Sequence, residues 1–167
     1  HQEDLKNGFI TIRGGHRAGI CGRLSMDQGQ VLSVQQISSI NLRIARQVFR
    51  AADPLVKFFQ SHLLENTLVV GPPSSGKTTV LRDLARQLSD GVLGKMLKVA
   101  LMDERGELAA SFQGQAQTDV GISTDVFDFY PKRVGVSIAV RSMSPDIIIC
   151  DEIGTDGDAQ IVQDCLN

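Results

Sequence analysis

The chain has 167 residues, with 17 Lys and Arg against 19 Asp and Glu, a formal net charge of -2. Hydrophobic residues make up 42% and charged residues 22%, an ordinary globular balance that argues against disorder and against a global basic field for nucleic acid. Cys21, Cys150 and Cys165 are three in number and have no C-x-x-C spacing, which disfavours a disulfide framework and a zinc ribbon and suits a reducing cytosol. No apolar run approaches the roughly 20 residues that a membrane-spanning helix needs, and no signal peptide is visible. His1 is not expected to be a native start.

The first zone, residues 1–50, reads as a small, mainly antiparallel β domain. A short strand is predicted over Gly8 to Arg13, a turn at Gly14-Gly15, and a second strand from His16 to Leu24. A turn at Asp27 to Gly29 precedes a third strand, Gln30 to Gln35. Alternation of Ile40, Leu42 and Ile44 predicts a fourth over Ser39 to Arg46. Residues 51–65 form a connecting helix, Asp53 to Leu64. Asp53 is its N-cap, Pro54 stands at the first helical position, and Leu55, Val56, Phe59 and Leu63 share one face with Phe58 on the flank.

From residue 66 onward strand and helix alternate. Thr67 to Val70 is a predicted strand. Thr78 to Leu88 is a helix with Leu81, Leu84, Ala85 and Leu88 on one face and Gly91 past its end. Leu97 to Met102 is a strand, and Gly106 to Tyr130 is a polar loop with little regular structure. Pro131 to Met143 fits either period and is assigned as helix, because consecutive parallel strands need a crossover. Asp146 to Cys150 is a third strand, and Thr155 or Asp156 caps a last helix carrying Ala159, Val162 and Leu166. This order predicts an α/β core with a parallel sheet over residues 66–167.

Gly71-Pro-Pro-Ser-Ser-Gly76-Lys77-Thr78 matches G-x-x-x-x-G-K-[ST] in full, between a predicted strand and an amphipathic helix. A loop that wraps phosphates must aim several backbone N–H groups at one point, and a helix N-terminus adds its dipole. Pro72 and Pro73 have no N–H, so the donors come from Ser74, Ser75, Gly76 and onward through Thr79. Lys77 is assigned to the β- and γ-phosphates and the Thr78 hydroxyl to magnesium; the implied ligands are ATP and Mg2+. A bland Gly/Ser-rich turn would not need the whole motif.

Two apolar strands each end in an acidic pair, Asp103-Glu104 and Asp151-Glu152. A nucleotide-hydrolysing site needs one acid for magnesium and one carboxylate to orient the attacking water. Asp151 is assigned to the metal and Glu152 to the water. Asp103 would hold magnesium from the other side, and Glu104 would help polarise water. Arg43 and Arg46 are candidates for a cation supplied to a neighbouring subunit, with a solvated sheet face as the alternative. Arg105 and Arg141 lie near the acidic pairs and could serve as ion-pair partners.

The chain resembles the stage III sporulation protein AA family of endospore-forming bacteria. The resemblance rests on Asn7 to Gly22 with its Gly-Gly-His-Arg stretch, on Ile37 to Arg46, on the phosphate loop, on Met102-Asp-Glu-Arg105, on Asp119 to Val126 and on Arg141-Ser-Met-Ser-Pro-Asp through Gly154. It implies kinship with the hexameric ATPases of type II and type IV secretion. In those enzymes an acidic box takes the place of Asp103-Glu104, and Glu152 matches the catalytic glutamate. Asp151 departs from their pattern, which has Gly there, so the division of labour between the two acidic pairs stays open. The implied fold is a RecA-like P-loop NTPase core, incomplete at its C-terminal end because the chain stops at Asn167. The implied function is Mg-dependent ATP hydrolysis by a cytoplasmic motor of the mother cell. That motor would be a homo-oligomer, hexameric by resemblance, docked on membrane-embedded sporulation channel proteins without inserting in the membrane itself. No nucleic-acid partner is expected; a RecA-type nucleic-acid-dependent ATPase and a nucleotide-switched scaffold with little turnover are the alternatives.

Overall fold

The computed structural model describes residues 8–27, 29–62, 64–154 and 156–165. Its chain divides into two compact units, one of residues 1–46 with 110–117, the other of residues 47–109 with 118–167.

The first unit is an antiparallel sheet in the order β1-β2-β3, formed by β1 (Phe9–Ile12), β2 (His16–Asp27) and β3 (Gln30–Arg43). Ile10, Ala18 and Leu42 are register partners across the sheet, and Ile20 faces Ile40, so these apolar residues share one face. The sequence predicts two separate strands between Gln30 and Arg46; the structure has one continuous β3. The polar stretch between the two apolar runs is absorbed by irregular register around Cys21, Gly22 and Arg23. Gly22 makes that possible, since a Cβ there would lie 2.8 Å from the Gln35 carbonyl oxygen and 2.9 Å from that of Gln36. Residues 110–117 contribute a short pairing of Phe112 with Gln115, and Gln117 Oε1 accepts the Gly14 N–H at 2.8 Å.

The second unit is α/β. Its three-stranded parallel sheet has the order β5-β4-β6, with β4 (Val99–Asp103) central, β5 (Thr124–Asp128) and β6 (Ile147–Cys150) beside it. Around it lie α1 (Asp53–Ser61), α2 (Lys77–Ser89), α3 (Lys132–Ile138), which runs on as a π-helical turn over Ala139–Met143, and α4 (Asp156–Cys165). All five residues of β4 are buried, and their alternation separates two cores. Val99 and Leu101 pack with Val56, Phe59, Leu84, Ala85 and Leu88 of α1 and α2. Ala100 and Met102 pack with Val136 of α3, Ala139 and Ile161 of α4. A strand buried on both faces is what a parallel sheet with helices on either side requires.

Several expectations need correcting. Thr67 to Val70 is not a strand, and Leu68 and Val70 are 71% and 83% exposed. A short apolar run becomes a strand only where a neighbour completes its ladder, and the described sheet pairs β4 with β5 and β6 instead. Conversely, the segment expected as loop, Gly106 to Tyr130, contains β5, which lies parallel to β4 with Leu101 opposite Val126. Its Asp-rich composition hides the alternation, because only Phe127 is fully buried. The connecting helix ends at Ser61, and Asp53 is its first residue and not its cap. Leu63, Thr155 and Leu166 lie outside the described residues.

The N-terminus of α1 is capped from another helix. Asp83 of α2 is 2% exposed and accepts the Ala52 N–H at 2.9 Å, the Gln87 amide at 2.9 Å and the Arg86 guanidinium at 2.7 Å. Gln87 also reaches Asp53 at 3.0 Å. Burial alone would raise the Asp83 pKa, but the hydrogen bonds from Ala52, Arg86 and Gln87 outweigh it and hold the carboxyl below its ordinary value. Replacing Asp83 by Ala is expected to lower the free energy of unfolding by about 2–4 kcal/mol, read from urea denaturation. Because the folded-state pKa is depressed, the stabilisation is present above the ordinary value of 3.8 and lost as pH falls through the lower folded value. The wild type should therefore lose stability in acid more steeply than the Asp83→Ala variant.

Candidate functional site

The phosphate-loop motif spans the turn at residues 71–76 and the start of α2. Gly76 occupies the N-cap with φ 92°, a left-handed conformation that favours glycine, and no side chain caps the helix. The first-turn N–H groups of α2 are thus left to an external acceptor, the arrangement in which a helix N-terminus receives an anion. Gly71 leaves room for a neighbour, since a Cβ there would stand 2.8 Å from Ser75 Oγ. Ser74 and Ser75 are exposed, while Gly76, Lys77, Thr78 and Thr79 are half-buried. Lys77 Nζ is folded back over the loop and donates to the carbonyls of Gly71 at 3.0 Å and Pro72 at 2.8 Å.

One contact joins this loop to the sheet. Thr78 Oγ1 donates to Asp151 Oδ2 at 2.8 Å across 73 residues of sequence. Asp151 follows directly on β6, so the parallel sheet carries its carboxylate to the start of α2. The two side chains assigned to magnesium from the sequence, Thr78 and Asp151, thus lie within hydrogen-bond distance of each other.

The other acidic residues have different partners. Asp103 is 1% exposed, and its carboxylate accepts three backbone N–H groups, Glu107 at 2.7 Å, Leu108 at 3.0 Å and Ala109 at 2.8 Å. It organises the turn after β4. Glu104 is ion-paired at 2.8 Å with Lys132 of α3, whose ammonium also stands 3.5 Å from Asp158 of α4. Asp158 in turn accepts the Gly154 N–H at 3.0 Å. Burial would lower the Lys132 pKa, but the hydrogen bond and charge of Glu104, with those of Asp158, raise it above the ordinary lysine value. Glu152 is exposed and pairs with Arg105 at 2.7 Å.

Arg82 escapes the sequence reading. It lies four residues after Thr78 on α2 and is 8% exposed. It donates to the carbonyls of Leu108 and Glu107, each at 2.6 Å, closing the same turn that Asp103 holds from beneath. Burial pulls its pKa down, against the opposing charges of Asp103, Asp151 and Glu107. The available signal was the helical spacing from Thr78, which puts residue 82 on the same side of α2. Arg43 and Arg46 are exposed in the first unit. Among the described residues no group of three or more His, Cys, Asp or Glu side chains could by itself hold a metal. None of their helices is long and apolar enough to cross a membrane.

The chain matches the model of the family "Sporulation stage III, protein AA" over residues 1–167, and it belongs to that family. It is 43% identical over 167 residues to "Stage III sporulation protein AA" of Bacillus subtilis (strain 168), covering 99% of this chain and 54% of that relative. It is 28% identical over 128 residues to "Uncharacterized protein ycf45" of Cyanidium caldarium, covering 74% of this chain and 36% of that protein. A shorter match, 38% identical over 60 residues, is to "Transcription termination factor Rho" of Mycobacterium leprae (strain TN), covering 36% of this chain and 10% of that protein. The chain thus spans about half the length of the sporulation relative and less of the others. No solved structure matches it significantly.

Replacing Asp103 by Asn exchanges one acceptor oxygen for a donor facing a backbone N–H. The unpaired amide is expected to cost about 1–3 kcal/mol and to speed hydrogen exchange at Glu107, Leu108 and Ala109 specifically.

Proposed function

We propose that this member of the sporulation stage III protein AA family is a magnesium-dependent ATPase with a RecA-like core. The single observation that carries the reading is the 2.8 Å hydrogen bond between Thr78 Oγ1 and Asp151 Oδ2. It joins the hydroxyl of a complete phosphate-loop motif to a carboxylate at the C-terminal edge of a parallel sheet, where such ligands bind.

The residues present fit the ligands. The uncapped N-terminus of α2 would supply N–H donors for phosphate oxygens, and Lys77 an ammonium beside them. Thr78 and Asp151 would hold magnesium, which when bound neutralises phosphate charge and orients the phosphates for in-line displacement. Asp103 is engaged by three amides, so the metal role falls to Asp151. Glu152, next to Asp151, would orient the attacking water. Glu104 would act through Lys132 and Asp158 on the position of the residue 151–154 segment.

At the level of the whole protein, the reading is a secretion-type motor that works as a homo-oligomer, a hexameric ring by resemblance. It would act in the mother cell, docked on membrane-embedded channel proteins, and energise assembly of, or transport through, the channel to the forespore. The name of the family supports the sporulation part of this reading.

The test is direct. Lys77→Ala is expected to abolish saturable Mg-ATP binding, and chelation of magnesium should do the same to turnover. Glu152→Gln should bind Mg-ATP with wild-type affinity while losing roughly two to three orders of magnitude in kcat. Full turnover in Glu152→Gln would remove the catalytic assignment, and failure of the wild type to bind Mg-ATP would remove the ATPase reading altogether.

A further inference from the structure

The reaction proposed above needs the Glu152 carboxylate, and in the structure that carboxylate is ion-paired with an arginine. Arg105 Nη1 stands 2.7 Å from Glu152 Oε2. Arg105 lies in the turn after β4, and Glu152 lies just after β6, the parallel neighbour of β4. The pair is therefore a lateral bridge across the C-terminal edge of the sheet. Asp151, one residue earlier, reaches α2 through Thr78. Two consecutive acidic residues thus serve different elements.

The backbone supports the same arrangement. Glu152 has φ 51°, a left-handed conformation that a non-glycine residue adopts at a cost of about 1 kcal/mol or more. Its own N–H donates to Asp151 Oδ1 at 3.1 Å, which closes a tight local turn. An energetically costly conformation is held here while its side chain meets Arg105. The two side chains are 66% and 51% exposed, so their attraction is screened by solvent and belongs to the weak class of surface ion pairs.

We propose that Arg105 is a positioning residue that competes with the attacking water for the Glu152 carboxylate, and so restrains turnover. The inference rests on the Mg-ATPase reading of the site. The weakness of the pair is part of the device. A bond this exposed biases the carboxylate without locking it, so it slows hydrolysis and does not block it.

The experiment compares the full chain with its Arg105→Gln and Arg105→Lys variants, measuring steady-state ATP hydrolysis and, separately, binding of a fluorescent Mg-ATP analogue. Arg105→Gln should raise kcat about two- to fivefold, the range set by an exposed ion pair, with KM and nucleotide affinity unchanged. Arg105→Lys keeps the charge and should stay near the wild type. Added salt should raise the wild-type kcat and leave Arg105→Gln unresponsive, a readout that needs no mutation to fold differently. An unchanged or lower kcat in Arg105→Gln, or equal salt responses, overturns the restraint while leaving the ATPase intact. A wild type that binds no Mg-ATP overturns both readings, which separates the two failures.

Discussion

A strand buried on both faces cannot end in a charge without giving that charge partners. β4 is such a strand, and it ends at Asp103, which is 1% exposed. The carboxylate is satisfied by folding the following turn back on it, so that three successive N–H groups converge on its oxygens. That fold-back turns the carbonyls of Glu107 and Leu108 toward α2, where Arg82 collects them. The turn after the central strand is thereby tied to the helix that begins at the phosphate loop. From the same turn Glu104 and Arg105 extend to Lys132 and Glu152. One desolvated carboxylate therefore fixes the scaffold on which the exposed charges of the site are displayed.

The site consists of two kinds of acid, and burial separates them. Asp103 is enclosed and fully engaged by backbone, a structural anchor by its surroundings. Asp151 is half-buried and accepts from the Thr78 hydroxyl and the Glu152 N–H, while Glu104 and Glu152 are exposed and paired with cations. A group held by three amides exchanges partners at high cost, whereas Glu152, held by an exposed cation, does so cheaply. The acid that the proposed chemistry would recruit for the water is the one whose present partner is easiest to displace.

What the sequence made legible follows the same division. Gly71 to Thr78 is readable as a turn entering a helix because the N-cap takes a left-handed φ that favours glycine, as at Gly76. β6 and the centre of β4 are readable because a doubly buried strand is continuously apolar. β5 is not, since Thr124, Asp125 and Asp128 leave it only the apolar pair Val126-Phe127 and it owes its state to the ladder offered by β4. Thr67 to Val70 is the mirror case, with an apolar sequence whose strand state depends on a partner that local pattern does not encode. Single β3 was misread as two strands because a register irregularity seated on Gly22 leaves only a polar interruption in sequence. Arg82 was invisible for a simpler reason. An arginine on an amphipathic helix reads as solvated, and only the turn it closes shows that it is buried.

Three side chains of the phosphate-loop site already have partners within the protein. Lys77 rests on two carbonyls of its own loop, Thr78 on Asp151, and Glu152 on Arg105. A ligand entering here replaces bonds and does not simply add them, so its affinity is the difference between the contacts it makes and those it breaks. The uncapped N–H groups at the start of α2 are the exception, because no side chain competes for them. On the proposed reading, discrimination would favour ligands that reach those donors and the displaced partners together. A terminal phosphate alone would engage only the helix N-terminus, whereas a longer phosphate chain with its divalent cation would also compensate Lys77, Thr78 and Asp151 for the bonds they lose. The internal pairing of the site would then act as a threshold that selects for ligand length and charge.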